Sequence, residues 1–162
     1  MENYSFLKTN DPYVLTPKKL VRYKLELLEL QDGDILIDMG VGDARSLIMA
    51  CEMADVKGIG YEISSEITEI ARKNVADAEL SNRIEIINKS MYDADLSKAN
   101  TVIIYLTRTM LGAISEKLEN ELPHGARIVT HQFDLPGWTA EKELEVTYEG
   151  CQAEMVYLYR KD

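Results

Sequence analysis

Three acidic residues and two glycines stand at the spacing a nucleoside site needs. Asp38-Met39-Gly40-Val41-Gly42-Asp43 follows an apolar run, Ile35-Leu36-Ile37, directly. A second run, Gly58-Ile59-Gly60-Tyr61, ends on Glu62, twenty positions past Gly42. The order is strand, glycine turn, helix, strand, acid. Such an order sets the turn beside the end of the second strand, where one ionised carboxylate can accept from both hydroxyls of a ribose. The glycines let the backbone approach a ligand closely, and the turn is expected to present free N–H groups at the helix start. A dinucleotide fingerprint has a third glycine five positions after the first. Arg45 occupies that position, so the pattern is broken for NAD and FAD, and a different nucleoside cofactor is expected.

The elements that must position these residues are legible from periodicity. Thr16-Pro17 reads as a helix cap followed by proline at the first helical position, with Leu20, Val21, Leu25 and Leu28 recurring at helical spacing up to Leu30. Gln31-Asp32-Gly33-Asp34 turns into the first strand. The helix after the glycine loop carries Leu47, Ile48 and Cys51 on one face. A second strand is predicted over 57–62, and Ser64 or Ser65 can cap a helix bearing Ile67, Ile70, Ala71 and Val75. A third strand follows over 84–87 and a fourth over 101–106. A helix over about 111–122 stops at Pro123-His124-Gly125, before a fifth strand over 127–132. Strands alternating with helices imply a parallel sheet. The tail differs: Leu144, Val146 and Tyr148 alternate, Gly150 interrupts, and residues 155–159 form another strand, which makes a hairpin. The fold class expected is therefore α/β, a Rossmann-like seven-stranded sheet with helices on both faces and a C-terminal antiparallel hairpin.

Ligands in such folds sit at the carboxyl ends of the strands. The first strand brings Asp38 and the glycine loop, the second Glu62, the third Ser90, Met91 and Tyr92, and the fourth Tyr105, Leu106 and Thr107. Glu62 is the expected ribose ligand. Asp38 either holds the loop or faces a positive group on the ligand. Asp43 either fixes the loop or reaches the ligand through water. Arg45 either pairs with a nearby acid or touches the ligand. Met91 is either a neighbour of the base or core filling, and Tyr105 either lines a slot for an alkylammonium or is structural. His131, inside the fifth strand, reads as a core histidine rather than a catalyst. No Ser/His/Asp grouping and no metal-ligand spacing appears; no metal is expected.

At 162 residues, 46% hydrophobic and 28% charged, the chain suits one domain with a real core. A net charge of −10 without a basic cluster argues against nucleic acid and suits cationic partners such as lysine side chains. No apolar stretch is long enough for a membrane span, the start Met1-Glu2-Asn3-Tyr4 is unlike a signal peptide, and no membrane association is expected. A cytoplasmic protein is expected. Cys51 and Cys151, the two cysteines, belong to no CxxC pair.

Asp38-x-Gly40-x-Gly42-Asp43 resembles motif I of the class I methyltransferases that use S-adenosylmethionine. Further segments narrow the likeness. Asp11-Pro12-Tyr13-Val14-Leu15-Thr16-Pro17, Gly58-Ile59-Gly60-Tyr61-Glu62-Ile63, Thr101-Val102-Ile103-Ile104-Tyr105-Leu106-Thr107, Arg127-Ile128-Val129-Thr130-His131-Gln132-Phe133, Gly137-Trp138 and the tail Val156-Tyr157-Leu158-Tyr159 look like archaeal broad-specificity protein lysine methyltransferases. The resemblance implies one methyltransferase domain over 1–162, with 1–30 as an N-terminal lid segment and first helix, and 31–162 as the core. It implies S-adenosylmethionine bound by Tyr13, Thr16, Asp38, Gly40, Gly42, Asp43, Glu62, Ser90, Met91, Tyr105 and Leu106. Tyr105, Leu106 and Thr107 border the methyl group, with Tyr105 acting chiefly by positioning. The implied substrates are proteins with exposed lysines. Other chemistry on the same cofactor, methylation of a small metabolite or binding without transfer, is the alternative. Lys89 stands where such enzymes often have glycine, and Arg108 falls near the presumed entrance.

Overall fold

A computed structural model describes residues 15–148 and 152–162. Tyr13, with the rest of the predicted lid over 1–14, lies outside the described residues, as do Gly150 and Cys151. The elements follow in the order α1 (Lys18–Leu28), β1 (Ile35–Met39), α2 (Arg45–Met53), β2 (Lys57–Tyr61), α3 (Ser65–Asp77), β3 (Ile84–Ile87), a short 3₁₀ turn (Met91–Asp93), β4 (Thr101–Ile104), α4 (Arg108–Glu121), β5 (Arg127–His131), β6 (Lys142–Val146) and β7 (Glu154–Arg160).

The seven strands lie in one sheet in the order β3-β2-β1-β4-β5-β7-β6. β1 to β5 run parallel, and β7 enters antiparallel between β5 and β6. This is the expected Rossmann-like sheet with its terminal hairpin. The chain winds outward from β1 in both directions, so the strand order reverses at the β1–β4 boundary, where the connections leave a crevice. Alternation along the strands divides the interior. Leu36, Ile103, Val129 and Val156 pack with α1, α2 and α3 on one face. Ile37, Val102, Ile104 and Ile128 pack with α4 on the other.

Several boundaries differ from the sequence reading, each for a local reason. α1 starts at Lys18, and Pro17 occupies the cap position with an extended ψ of 140° and no side-chain cap. The Thr16 carbonyl instead accepts from Arg45 Nη1 at 3.0 Å. A missing cap costs about 1 kcal/mol, whereas each buried leucine contributes roughly 1.5–3 kcal/mol. The buried stripe of Leu20, Val21, Leu25 and Leu28 therefore decides that this helix forms. It ends at Leu28 rather than Leu30 because Glu29 turns left-handed at φ 50°. α4 starts three residues earlier than its apolar period suggests, since the Thr107 hydroxyl accepts from the Met110 amide at 3.3 Å and caps it. β2, β4 and β5 each stop one or two residues short of the predicted ends, which frees Glu62, Tyr105, Leu106 and Gln132 from the sheet. β6 spans 142–146 and leaves Tyr148 outside; its exposed Lys142, Glu143 and Glu145 guard a sheet edge.

Candidate active site

A cleft of about 730 Å³ opens at the carboxyl ends of β1, β2 and β4. Asp38, Gly40, Gly42 and Asp43 form one wall, and Glu62 and Ser64 stand beside them. Ser90 and Met91 close one end, Tyr105 and Leu106 the other, and Thr16 lies at the rim. All the predicted site residues among those described thus gather around one cavity.

The glycine loop is pinned to the end of β2 by backbone hydrogen bonds. The Gly40 and Val41 amides both donate to the Tyr61 carbonyl, at 2.9 and 3.0 Å. The Gly42 amide donates to Glu62 Oε2 at 3.3 Å, and Ala44 to the Val41 carbonyl at 3.1 Å. The Arg45 amide reaches Asp43 Oδ1 at 3.2 Å. Several loop donors are thus spent on nearby carbonyls and carboxylates, while the Asp43, Ser46 and Leu47 amides at the start of α2 have no hydrogen-bond partner among the described residues, as the expectation of free N–H groups there requires. Gly40 sits at φ 83°, and a Cβ there would stand 3.6 Å from Leu106 Cδ2 across the cleft floor. Gly60 is required for another reason. A Cβ on it would meet Val41 Cγ2 at 2.6 Å, so the β2 backbone is the surface on which the loop rests.

Asp43 and Arg45 form an ion pair beside the loop. Arg45 Nη2 and Nε bind both Asp43 oxygens, at 2.8 to 3.2 Å, while Arg45 Nη1 holds the Thr16 carbonyl. Asn74 donates to the Asp43 carbonyl at 3.0 Å. This network ties the segment before α1 to the glycine loop, with Arg45 paired to Asp43, which also lines the cleft.

Glu62 lies one residue past β2, 8% exposed. Its second oxygen accepts from the Ser64 amide at 3.1 Å. Burial raises its pKa above the usual carboxylate value, and the bonds from Ser64 and Gly42 oppose that rise. Asp38 is buried too, and its carboxylate takes a short hydrogen bond from the Ser46 hydroxyl. Burial pushes the Asp38 carboxyl up, against the Ser46 bond and the nearby Lys24 charge.

Tyr105 is held on two sides. Its hydroxyl donates to Gln132 Oε1 at 2.9 Å, and its ring lies 3.9 Å from that of His131, tilted by 34°. Burial raises the phenol's pKa, with Glu154 adding to the effect, which suits a wall rather than a base. His131 is 2% exposed, and burial followed by Lys24 holds it down to about 2, so it stays neutral. It is a core histidine, as the sequence suggested. Met91 is 7% exposed and packed in the α4-side core, and it also lines the cleft. The Ser90 hydroxyl caps the 3₁₀ turn by accepting from the Tyr92 amide at 3.3 Å. Lys89 is exposed and outside the cleft lining. Arg108 lies 5.4 Å over the Phe133 ring, at the cleft's edge.

Sequence reasoning missed Lys24, Ser46 and Gln132. Lys24 carried a signal: it falls on the buried stripe of α1, between Val21 and Leu25, where a lysine needs a reason. Ser46 and Gln132 are placed by contacts across the fold, which local pattern does not encode.

Comparison with known proteins decides the family. Residues 38–142 match the ANTKMT methyltransferase domain family. A protein-lysine N-methyltransferase of Saccharolobus islandicus (strain REY15A) is 35% identical over 149 residues, 91% of this chain and 92% of that one. The chain belongs to this methyltransferase family. As such it is an enzyme, and its methyl donor is S-adenosylmethionine. The mouse adenine nucleotide translocase lysine N-methyltransferase is 30% identical over 82% of this chain, which spans 57% of that longer protein. Among solved structures, an RNA methyltransferase from Salinibacter ruber in complex with S-adenosyl-L-homocysteine superposes with a TM-score of 0.83 at 32% identity, covering 91% of this chain and 93% of that one. The residues present fit the donor: Gly40 leaves a cradle without a side chain, and Glu62 offers a recessed carboxylate.

Proposed function

We propose that this methyltransferase transfers methyl groups to lysine side chains of proteins. The observation that carries the reading is the wall beyond the end of β4. Tyr105, Leu106, Met110 and Phe133 line the cleft there with apolar and aromatic surface. Such a wall fits the alkyl stem of a lysine and removes water from its ammonium. Lysine must lose a proton from a group of pKa about 10.4 before it can attack, and desolvation lowers that value. Bound S-adenosylmethionine supplies an electrophilic methyl on a sulfonium. The protein's part is to hold donor and acceptor in line and to keep water out. Tyr105, fixed by Gln132 and His131, is the positioning wall. Glu62 receives the ribose hydroxyls, and Ser90 and Met91 neighbour the adenine. Asp38, Gly40, Gly42 and Asp43 form the methionine side, with Leu106 across from them.

Support also comes from the named activities of the Saccharolobus and mouse relatives. The segment before α1 fits a covering role, since Leu15 and Thr16 line the cleft and Arg45 ties Thr16 to the loop. We keep 1–162 as one domain, with 1–30 as lid and first helix. Arg108 shares its surroundings with acidic residues: burial, Asp134 and Glu143 raise the Tyr157 phenol's pKa, and Arg108 lowers it.

The test is incubation with methyl-labelled donor and three acceptors: lysine-rich proteins, RNA and a small-metabolite extract. Label on lysine, located by mass mapping, is the expected result. Label on RNA, as the Salinibacter protein's description would suggest, or on metabolites alone would overturn it. A net charge of −10 weighs against an RNA substrate.

A further inference from the structure

Lys24 is a buried basic group facing the cleft; burial lowers its pKa, and the nearby Asp38 and Glu154 carboxylates oppose that fall. It is 2% exposed, on the stripe of α1 that packs under the sheet. Its ammonium donates to the Ile104 carbonyl at 3.1 Å and lies 2.8 Å from His131 Nδ1. Since His131 stays neutral, Nδ1 accepts and Nε2 carries the ring's proton, 3.9 Å from Glu154 Oε2. An ammonium has three donors. The third has no partner among the described residues, and none of their carboxylate oxygens lies within 4.0 Å of Nζ.

Asp38 is the complementary group. It too is buried, with Ser46 as its one hydrogen-bond partner among the described residues. Both side chains line the same cleft. They are close enough for each charge to act on the other, yet they form no ion pair. Burying a cation and an anion without pairing them is costly, and a hydrophobic residue at position 24 would fit the stripe better. A gap between opposite buried charges is, however, complementary to a ligand carrying both an ammonium and a carboxylate. The amino-acid end of the methyl donor is such a ligand.

We infer that Lys24 receives the α-carboxylate of the donor's methionine part, opposite Asp38, which faces the α-ammonium. His131 and the Ile104 carbonyl aim the ammonium by taking its other two hydrogens. The inference rests on S-adenosylmethionine as donor and adds a residue that the glycine-loop pattern does not contain.

The test compares binding of S-adenosylmethionine with its decarboxylated form, by calorimetry, to the wild-type protein and to Lys24→Met. The wild type is expected to bind the decarboxylated molecule tenfold to a hundredfold more weakly. In Lys24→Met the two affinities should converge to within about threefold, because only the intact molecule loses a contact. A wild-type protein that binds both equally overturns the assignment without any variant. A gap that persists in Lys24→Met overturns it as well. A wild-type protein that binds neither overturns the donor assignment beneath it, a different result from binding without discrimination.

Discussion

At the scale of single residues the site is a set of carboxylates already partly committed to the protein. Glu62 spends one lone pair on each oxygen for the Gly42 and Ser64 amides, and keeps others for a ligand. Its replacement therefore acts twice. Glu62→Ala should weaken donor binding by roughly tenfold to a hundredfold, the equivalent of about 1.5–3 kcal/mol for a charge-assisted hydrogen bond. It should also lower stability by about 1–3 kcal/mol, because two buried amides lose their acceptor. Glu62→Gln, which keeps an acceptor and loses the charge, should recover part of the stability and little of the affinity. Calorimetry and melting curves on the pair check this; normal donor affinity in both variants would remove Glu62 from the ribose. His131 gives a pH prediction. Its folded pKa of about 2 lies below the ordinary 6.5, so between those values the unfolded chain binds the extra proton. Stability from this group is present above pH 6.5 and falls as pH drops, by up to about 1.4 kcal/mol per unit. Denaturant melts of His131→Gln should show a shallower loss between pH 6.5 and 5 than the wild type; equal slopes would mean that His131 does not stay neutral. Both residues were readable in the sequence, Glu62 from its spacing and His131 from its strand. Lys24 was passed over because a periodicity count registers apolar residues and skips the polar one among them.

At the scale of elements, the turn after β1 is shaped by β2. Asp38 pairs with Gly60 and Met39 with Tyr61 in register, and the loop then folds back onto the Tyr61 carbonyl. Val41 fills the space over Gly60 that a side chain would take. Gly60→Ala should therefore push Val41 and the loop away, at a cost of about 1–3 kcal/mol of stability. Donor affinity should fall further than stability alone explains, since Gly40 and Gly42 move with Val41. Gly112→Ala is the control, in a helix with nothing near the added methyl. A Gly60→Ala protein that binds the donor normally would show that the loop does not lean on β2. The parallel strands and the terminal hairpin were legible because each carries its own period. The starts of α1 and α4 were not, for opposite reasons. Pro17 offered a helix-start signal that the backbone does not follow, and Thr107 offered a cap that the apolar pattern placed three residues too late. The lengths of β2, β4 and β5 escaped because the residues past each strand end are held by contacts from other elements, as Gln132 holds Tyr105.

For the molecule as a whole, the decisive fact is that the cleft belongs to both halves of the sheet. The β1–β3 side brings Asp38, Gly40, Gly42 and Glu62; the β4–β5 side brings Tyr105, Leu106 and Phe133; α1 brings Lys24. Each half packs into both apolar layers, with Leu36 and Val129 in one and Ile37 and Ile128 in the other. Losing either half destroys the site, so binding energy should stabilise the entire described fold and not one lobe. Mass action then sets the size. Donor at a hundred times its dissociation constant adds about 2.7 kcal/mol. For a chain of 162 residues this raises the melting midpoint by roughly 5–11 °C. The expected result is one transition that shifts intact with S-adenosylmethionine or its demethylated product, and that NAD at the same concentration leaves in place, since Arg45 stands where the dinucleotide pattern has its third glycine. Two separating transitions, with only one following the ligand, would show that the halves unfold independently and that the cleft draws its affinity from one of them. A shift with NAD would show that Arg45 in place of the third glycine does not decide the choice of cofactor.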